Sequence, residues 1–220
     1  MGDSDGSEGR PDSRSAGRFG PIEWASAGRA RPGEDVSGDC AIAIDFDGEA
    51  GLFGVVDGLG HGPAAARAAQ AAAEVIRGAG DQRIEVLVQL CHRVLAGTRG
   101  VVMTLARIDF HTSTLSWTGV GNIGANIVAK TAGGVNVRHS ARLIAGIVGH
   151  RIPEIAPAQV VQIRTGDLLV IASDGIADGH VDDIDFGTPA EVIAKALIEN
   201  HAKQIDDATV LAARHRGIPT

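Results

Sequence analysis

The stretch Val55-Val56-Asp57-Gly58-Leu59-Gly60-His61-Gly62-Pro63-Ala64-Ala65 sets the reading of this chain. An apolar strand delivers an aspartate into a loop with three glycines in six residues, and an alanine-rich helix follows at once. Pro63 suits the first helical position, where its missing N–H does no harm. Arg67, Gln70, Glu74 and Arg77 recur at spacings of three, four and three and form one narrow wet stripe. The rest of that helix is almost all alanine, so it can lie very close to a sheet.

Working outward, residues 40–46 and 51–56 read as two strands of a hairpin about the turn-like Asp47-Gly48-Glu49-Ala50. A second helix is expected over 81–96, with Ile84, Leu87, Val88, Cys91 and Leu95 as its buried face and Gly97 placed to end it. Strands follow at 101–109, 114–119, 123–129 and 134–138, then at 159–163 and 167–173. Their short connections suit antiparallel neighbours. Thr188-Pro189-Ala190-Glu191 has the form of a capping box opening a third helix that runs to about residue 201, and a last strand is expected at 208–214. The elements do not alternate as β-α-β-α, which argues for an α+β layered fold over a doubly wound sheet. Two antiparallel sheets packed together with helices on both outer faces account for strands that are apolar almost throughout.

Two further aspartates occupy positions like that of Asp57. Asp174 follows the apolar run Leu168-Leu169-Val170-Ile171 and precedes Gly175, and Asp206, in Asp206-Asp207-Ala208-Thr209-Val210, precedes a strand. Asp39, in Ser37-Gly38-Asp39, is a fourth candidate. Taken singly, an Asp-Gly pair is most often just a turn. Taken together, carboxylates at strand ends suggest a site for hard cations, because Mg²⁺ and Mn²⁺ take oxygen ligands and keep several waters. Asp57 is the candidate bridge between two ions, and Gly58 lets the backbone approach so that its carbonyl can serve as a ligand. Two such ions ~3.5–4 Å apart bind a water between them, lower its pKa and aim it at phosphorus. No Gly-x-Ser-x-Gly elbow, phosphate-cradling Gly-x-x-x-x-Gly-Lys loop or His-Glu-x-x-His is present.

Composition narrows the class. The chain has 220 residues, 44% of them hydrophobic and 3% aromatic, enough for one domain whose core is filled by Ala, Val, Leu and Ile. A net charge of −7 predicts no nucleic-acid face. No apolar run approaches the ~18 residues of a membrane span. The start of the chain shows no signal-peptide pattern, so a cytoplasmic location is expected. Cys40 and Cys91 read as buried free thiols. Residues 1–21, rich in Gly, Ser, Asp and Arg, are expected to form a disordered tail, with the folded domain at 22–216. His111, His139 and His150 show no metal-ligand spacing and read as surface or turn residues, and Trp117 reads as core. The glycine-rich Gly119-Val120-Gly121-Asn122-Ile123-Gly124 joins two strands with no helix after it, against a dinucleotide role. Gly146 to Gly149 reads as a loop near the site.

Four of these motifs occur in the order seen in the metal-dependent protein phosphatase family, type 2C: Ser37-Gly38-Asp39, Asp57-Gly58-Leu59-Gly60-His61-Gly62 with Ala64-Ala65, Ser173-Asp174-Gly175, and Asp206-Asp207-Ala208-Thr209. The chain resembles in particular the bacterial stress and sporulation (SpoIIE/RsbU/RsbX) branch. Trp24, Pro32-Gly33-Glu34, Thr98-Arg99-Gly100 and Trp117-Thr118-Gly119-Val120-Gly121-Asn122 are most similar to its RsbX-like stressosome phosphatases. The resemblance spans about residues 22 to 214. It implies a four-layer α-β-β-α sandwich and a monomeric enzyme that hydrolyses phosphoserine or phosphothreonine on a stressosome or STAS-domain partner.

The resemblance further implies two Mn²⁺ or Mg²⁺ ions, with Asp57 bridging, Gly58 as carbonyl ligand, Asp174 and Asp206 as ligands of one metal, and Asp39 acting through water. Asp207 is the alternative to Asp206 if the register differs by one. Two family positions differ here. Glu34 stands about where many members carry a phosphate-binding arginine, and would repel phosphate; Arg29, Arg31 and Arg99 are nearby substitutes. Leu59 stands where many members carry a general-acid histidine, and His61, two residues on, is the candidate to protonate the leaving alkoxide. The competing readings are a catalytically silent docking module for a STAS-type partner and another metal-dependent phosphohydrolase.

Overall fold

The computed structural model describes residues 15–217. Two strands, β1 (Ala16–Phe19) and β2 (Ile22–Arg29), precede the hairpin β3 (Asp39–Phe46) and β4 (Ala50–Gly58). Helices α1 (Pro63–Gly78) and α2 (Ile84–Val94) follow, then β5 (Val101–Asp109), β6 (Thr114–Val120), β7 (Gly124–Thr131), β8 (Gly134–Ser140) and the short β9 (Leu143–Ile144). The chain ends with β10 (Gln159–Gln162), β11 (Leu168–Ala172), a 3-10 turn at His180–Asp183, α3 (Ala190–His201) and β12 (Ala208–His215).

One sheet has the order β1-β2-β12-β11-β7-β8 and the other β10-β6-β5-β4-β3, with β9 beside β6. All the pairs are antiparallel except β6 with β9. Strand alternation sends side chains into three cores. Leu52 and Val56 face α1 and α2, while Phe53 and Val55 face the other sheet. Leu169 and Ile171 meet them across the sandwich, and Leu168 and Val170 turn outward to α3. A strand buried on both faces has no polar side to show, which is why these sequences run apolar. The expected four-layer sandwich is the one observed.

The hairpin turns through Asp47 and Gly48 at φ 52° and 74°. Two left-handed residues in a row match the twist of the strands they join. In α1 the alanines Ala65, Ala68, Ala69, Ala72 and Ala73 are buried, while Arg67, Gln70, Glu74 and Arg77 are exposed. Trp117 is 2% exposed and belongs to the core between the sheets. His111 and His150 are exposed and His139 is half-buried. Cys91 is buried and Cys40 half-buried, both free.

Some expectations need correction. Helix α2 begins at Ile84, three residues later than expected, because Arg83 is extended (φ −60°, ψ 147°). The capping box does not form: Pro189 is the N-cap and has no side chain to offer, and the Thr188 hydroxyl donates instead to the Asp185 carbonyl at 2.9 Å. Most of the expected tail, residues 1–14, lies outside the described residues. Within the rest of it, Ala16–Phe19 forms an edge strand on β2, and Phe19 packs against Trp24 and Phe53. Among the described residues, no helix is long and apolar enough to cross a membrane.

Candidate metal centre

Strand pairing brings the four predicted carboxylates to one end of the sandwich. Asp39 opens β3 and Asp57 comes near the end of β4, directly opposite in register. In the other sheet, β11 and β12 are antiparallel neighbours, so Asp174, two residues past β11, and Asp206, two residues before β12, emerge on the same side. Asp57, Asp174, Asp206 and His61 line a single open cleft of about 450 Å³, with Arg31, Leu59, Asn122, Ile147 and Ile205 around its walls.

Glycines at two positions let backbone pass backbone behind the cleft, and a third makes room for a side chain. A Cβ at Gly58 would lie 2.1 Å from the Ala65 carbonyl oxygen of α1, and one at Gly175 would lie 1.8 Å from that of Asp207. Glycine at 58 is thus demanded by the seating of α1 against β4. A Cβ at Gly38 would lie 2.9 Å from that of Ala65.

The carboxylates repel one another. Burial pushes the Asp57 carboxyl up to about 8, and the neighbouring charges of Asp39, Asp174, Asp206 and Asp207 push it the same way. Burial also raises Asp39 to about 6, with Asp207 and Asp174 adding to the shift and the hydroxyls of Ser173 and Thr209 opposing it. One Asp39 oxygen, Oδ2, is buried with no hydrogen-bond partner. A buried, unpaired acceptor within a cluster of like charges costs stability unless a cation joins it. Among the described residues, no three His, Cys, Asp or Glu side chains are grouped so as to hold one ion between them. Ions that keep most of their water need fewer protein oxygens than that. The all-oxygen donor set, the orphaned Asp39 oxygen and the raised Asp57 carboxyl therefore fit hydrated Mg²⁺ or Mn²⁺.

Asp207, the alternative to Asp206, is engaged elsewhere. It is 3% exposed, and its carboxylate accepts the backbone N–H of Arg31 at 2.7 Å and that of Gly38 at 2.8 Å. It pins the segment between β2 and β3. Asn122 is a site residue the motif reading did not single out: its side-chain amide donates to Asp174 Oδ2 at 2.7 Å. Lys203 Nζ donates to the Asp174 carbonyl at 2.6 Å. Of the three substitute arginines, Arg31 alone lines the cleft. The Arg29 guanidinium is bound to the Lys203 and Ala30 carbonyls, and Arg99 reaches the Leu59 carbonyl at 3.4 Å. Ile147 brings the Gly146–Gly149 loop to the cleft wall. His61 Nδ1 lies 2.5 Å from Glu34 Oε1.

The family model of stage II sporulation protein E matches residues 47–216, which include the ends of β4, β11 and β12 that carry Asp57, Asp174 and Asp206. The chain belongs to the SpoIIE family. A relative of known structure, described as "The bacterial stressosome: a modular system that has been adapted to control secondary messenger signaling", is 32% identical with a TM-score of 0.78, over 88% of this chain and 99% of that one. RsbX in complex with magnesium is 19% identical with a TM-score of 0.74, covering 90% of this chain and 97% of its own. The catalytic domain of the serine threonine protein phosphatase PstP in complex with two manganese ions is 17% identical with a TM-score of 0.67, covering 88% and 97%. No curated protein matches the sequence. The fold of this SpoIIE-family chain is that of the type 2C phosphatases, and family and fold together place it with the metal-dependent protein phosphatases.

Proposed function

We propose that this chain removes phosphate from phosphoserine or phosphothreonine on a stressosome scaffold or related STAS-domain protein, acting as a monomer with two Mn²⁺ or Mg²⁺ ions. The observation that carries the reading is the convergence of Asp57, Asp174 and Asp206 on one cleft, backed by Asp39, with the Asp57 carboxyl raised by burial and then by its acidic neighbours. The choice of partner is supported by the 32% identical stressosome chain.

Asp57, the Gly58 carbonyl, Asp174 and Asp206 would hold the ions, with Asp39 behind them acting through water. Bound there, divalent cations offset charge on the phosphoryl oxygens and activate water for attack. Asn122 orients Asp174 by its amide hydrogen bond. Arg31, held by Asp207 at its backbone, presents a fixed positive charge to the phosphate in place of the family arginine. His61 gives a proton to the departing oxygen. The apolar walls formed by Leu59, Val102, Ile147 and Ile205 displace bulk water around these groups.

The deciding measurement is release of inorganic phosphate from an aryl phosphate and from a phosphorylated STAS-domain protein, with Mn²⁺ and with chelator. Mn²⁺-dependent release from both is expected. No release above the chelated control would leave a docking module. Release from nucleotides in preference to phosphoprotein would leave a different phosphohydrolase.

A further inference from the structure

Glu34 occupies a place where a carboxylate works against phosphate, yet the structure gives it a partner. The turn Arg31-Pro32-Gly33-Glu34 closes with the Glu34 N–H donating to the Arg31 carbonyl at 3.0 Å, and Gly33 sits at φ +92°. Proline second and a left-handed glycine third are what a type II turn requires. Asp207 fixes the start of that turn through the Arg31 N–H. The turn projects Glu34 onto the loop between β4 and α1, where Oε1 meets His61 Nδ1 at 2.5 Å. A Cβ at Gly62 would lie 2.8 Å from Glu34 Oε2, so the carboxylate is seated against the loop on its other side as well.

That seat is the N-terminus of α1. Gly62 is its N-cap, no side chain caps it, and its first turn carries no acidic residue. A carboxylate placed there is favoured by the helix dipole. The Glu34 side chain is 26% exposed, so it is held in a partly sheltered place while His61 at 47% reaches into the cleft.

We propose that Glu34 is the positioning residue for His61: as an acceptor it fixes the proton on Nδ1 and leaves Nε2 to serve the leaving group. An ionised carboxylate only accepts, so the imidazole nitrogen against it must carry hydrogen. In the step this serves, a water oxygen forms the new P–O bond. The P–O bond to the seryl oxygen breaks with its electron pair going to that oxygen, and the Nε2 proton passes to it. His61 is left neutral with hydrogen on Nδ1, and the proton shed by the attacking water restores Nε2. This inference rests on the phosphatase reading, but the tautomer it assigns is measurable without turnover.

The test has two arms. Nitrogen-15 correlation spectra of the imidazole report the His61 tautomer in the folded, metal-free protein. Neutral wild type is expected to show hydrogen on Nδ1, and Glu34→Ala is expected to lose that signature with the other histidines unchanged. In the second arm, Glu34→Ala is expected to slow a phosphoserine peptide by about tenfold or more, and His61→Ala by about a hundredfold or more, the lower end of what general acid catalysis contributes. Both should slow an aryl phosphate with a good leaving group by less than about threefold, and the double variant should be no slower than His61→Ala. Retention of the tautomer in Glu34→Ala, or losses that multiply in the double variant, overturns the proposal. A wild type inactive on both substrates overturns the phosphatase reading and the catalytic use of the pair, while the tautomer arm still reports whether Glu34 sets the imidazole.

Discussion

Asp39 and Asp57 stand opposite each other in antiparallel register on β3 and β4, two carboxylates held side by side by the sheet itself. The pairing keeps their Cβ atoms adjacent on one face of the sheet. The sandwich thus holds a standing electrostatic conflict at one end, and that conflict makes several predictions measurable.

The Asp57 carboxyl lies near 8 when folded, against 3.8 for the unperturbed group. The native state therefore binds more protons than the unfolded state between those values, and its stability falls as pH rises through that window. Metal-free protein is expected to melt at progressively lower temperature from about pH 5 to about pH 8. Asp57→Asn removes the charge and should flatten this slope, melting higher than wild type at pH 8 without metal. Mn²⁺ should raise the melting temperature of wild type and leave Asp57→Asn unchanged, with metal-dependent turnover abolished in the variant. Thermal melts across pH with chelator and with Mn²⁺ check all three.

Asn122 reaches Asp174 across a separation of 52 residues. Hydrogen bonds that orient a ligand cost about 10–100-fold in metal affinity or activity when lost. Asn122→Ala is expected to raise the Mn²⁺ concentration needed for half-maximal activity by that order, with little change at saturating Mn²⁺. A metal titration of activity measures it.

Asp206 and Asp207 should separate cleanly. Asp207→Ala removes two hydrogen bonds from a charged acceptor and leaves the buried Gly38 N–H and the half-buried Arg31 N–H behind, so a loss of about 3 kcal/mol is expected in urea unfolding. Asp206→Ala should leave the unfolding midpoint close to that of metal-free wild type and abolish the stabilisation by Mn²⁺.

Arg31 and Arg29 give a paired control. Arg31→Ala should raise KM for a phosphopeptide about tenfold, the order expected when one charged contact to phosphate is lost. Arg29→Ala should leave KM unchanged, because its guanidinium is spent on the Lys203 and Ala30 carbonyls. Steady-state kinetics on the two variants decide between them.

Much of this arrangement was legible because burial on both faces writes long apolar runs, and because the alanine surface of α1 announces close packing. What stayed hidden has physical causes. β2 is half built of small residues: Ile22 and Trp24 face the inter-sheet core, while Ala25 and Ala27 face α3, so no strong alternation of large and polar side chains appears. β1 is a four-residue edge with one apolar anchor, Phe19, in a stretch whose composition reads as tail. Thr188 has the side chain of a cap, but Pro189 takes the N-cap place and the Thr188 hydroxyl donates back to the Asp185 carbonyl. Motif order pointed to the carboxylates themselves. Their supports, Asn122 on Asp174 and Glu34 on His61, depend on which loops the two sheets bring together. Glu34 in particular read as a mismatch with phosphate, when its partner was a histidine 27 residues away.

The doublet Asp206-Asp207 shows how little separates a site residue from a scaffold residue. One of two identical side chains lines the cleft, and the other accepts backbone N–H groups from the segment that carries Arg31. Their jobs are set by distance from β12: Asp207 immediately precedes Ala208, and Asp206 stands one residue further back. A one-residue slip of β12 against β2 and β11 would turn each carboxylate to the other's side, so the register of that strand is as much a part of the site as the carboxylates it delivers.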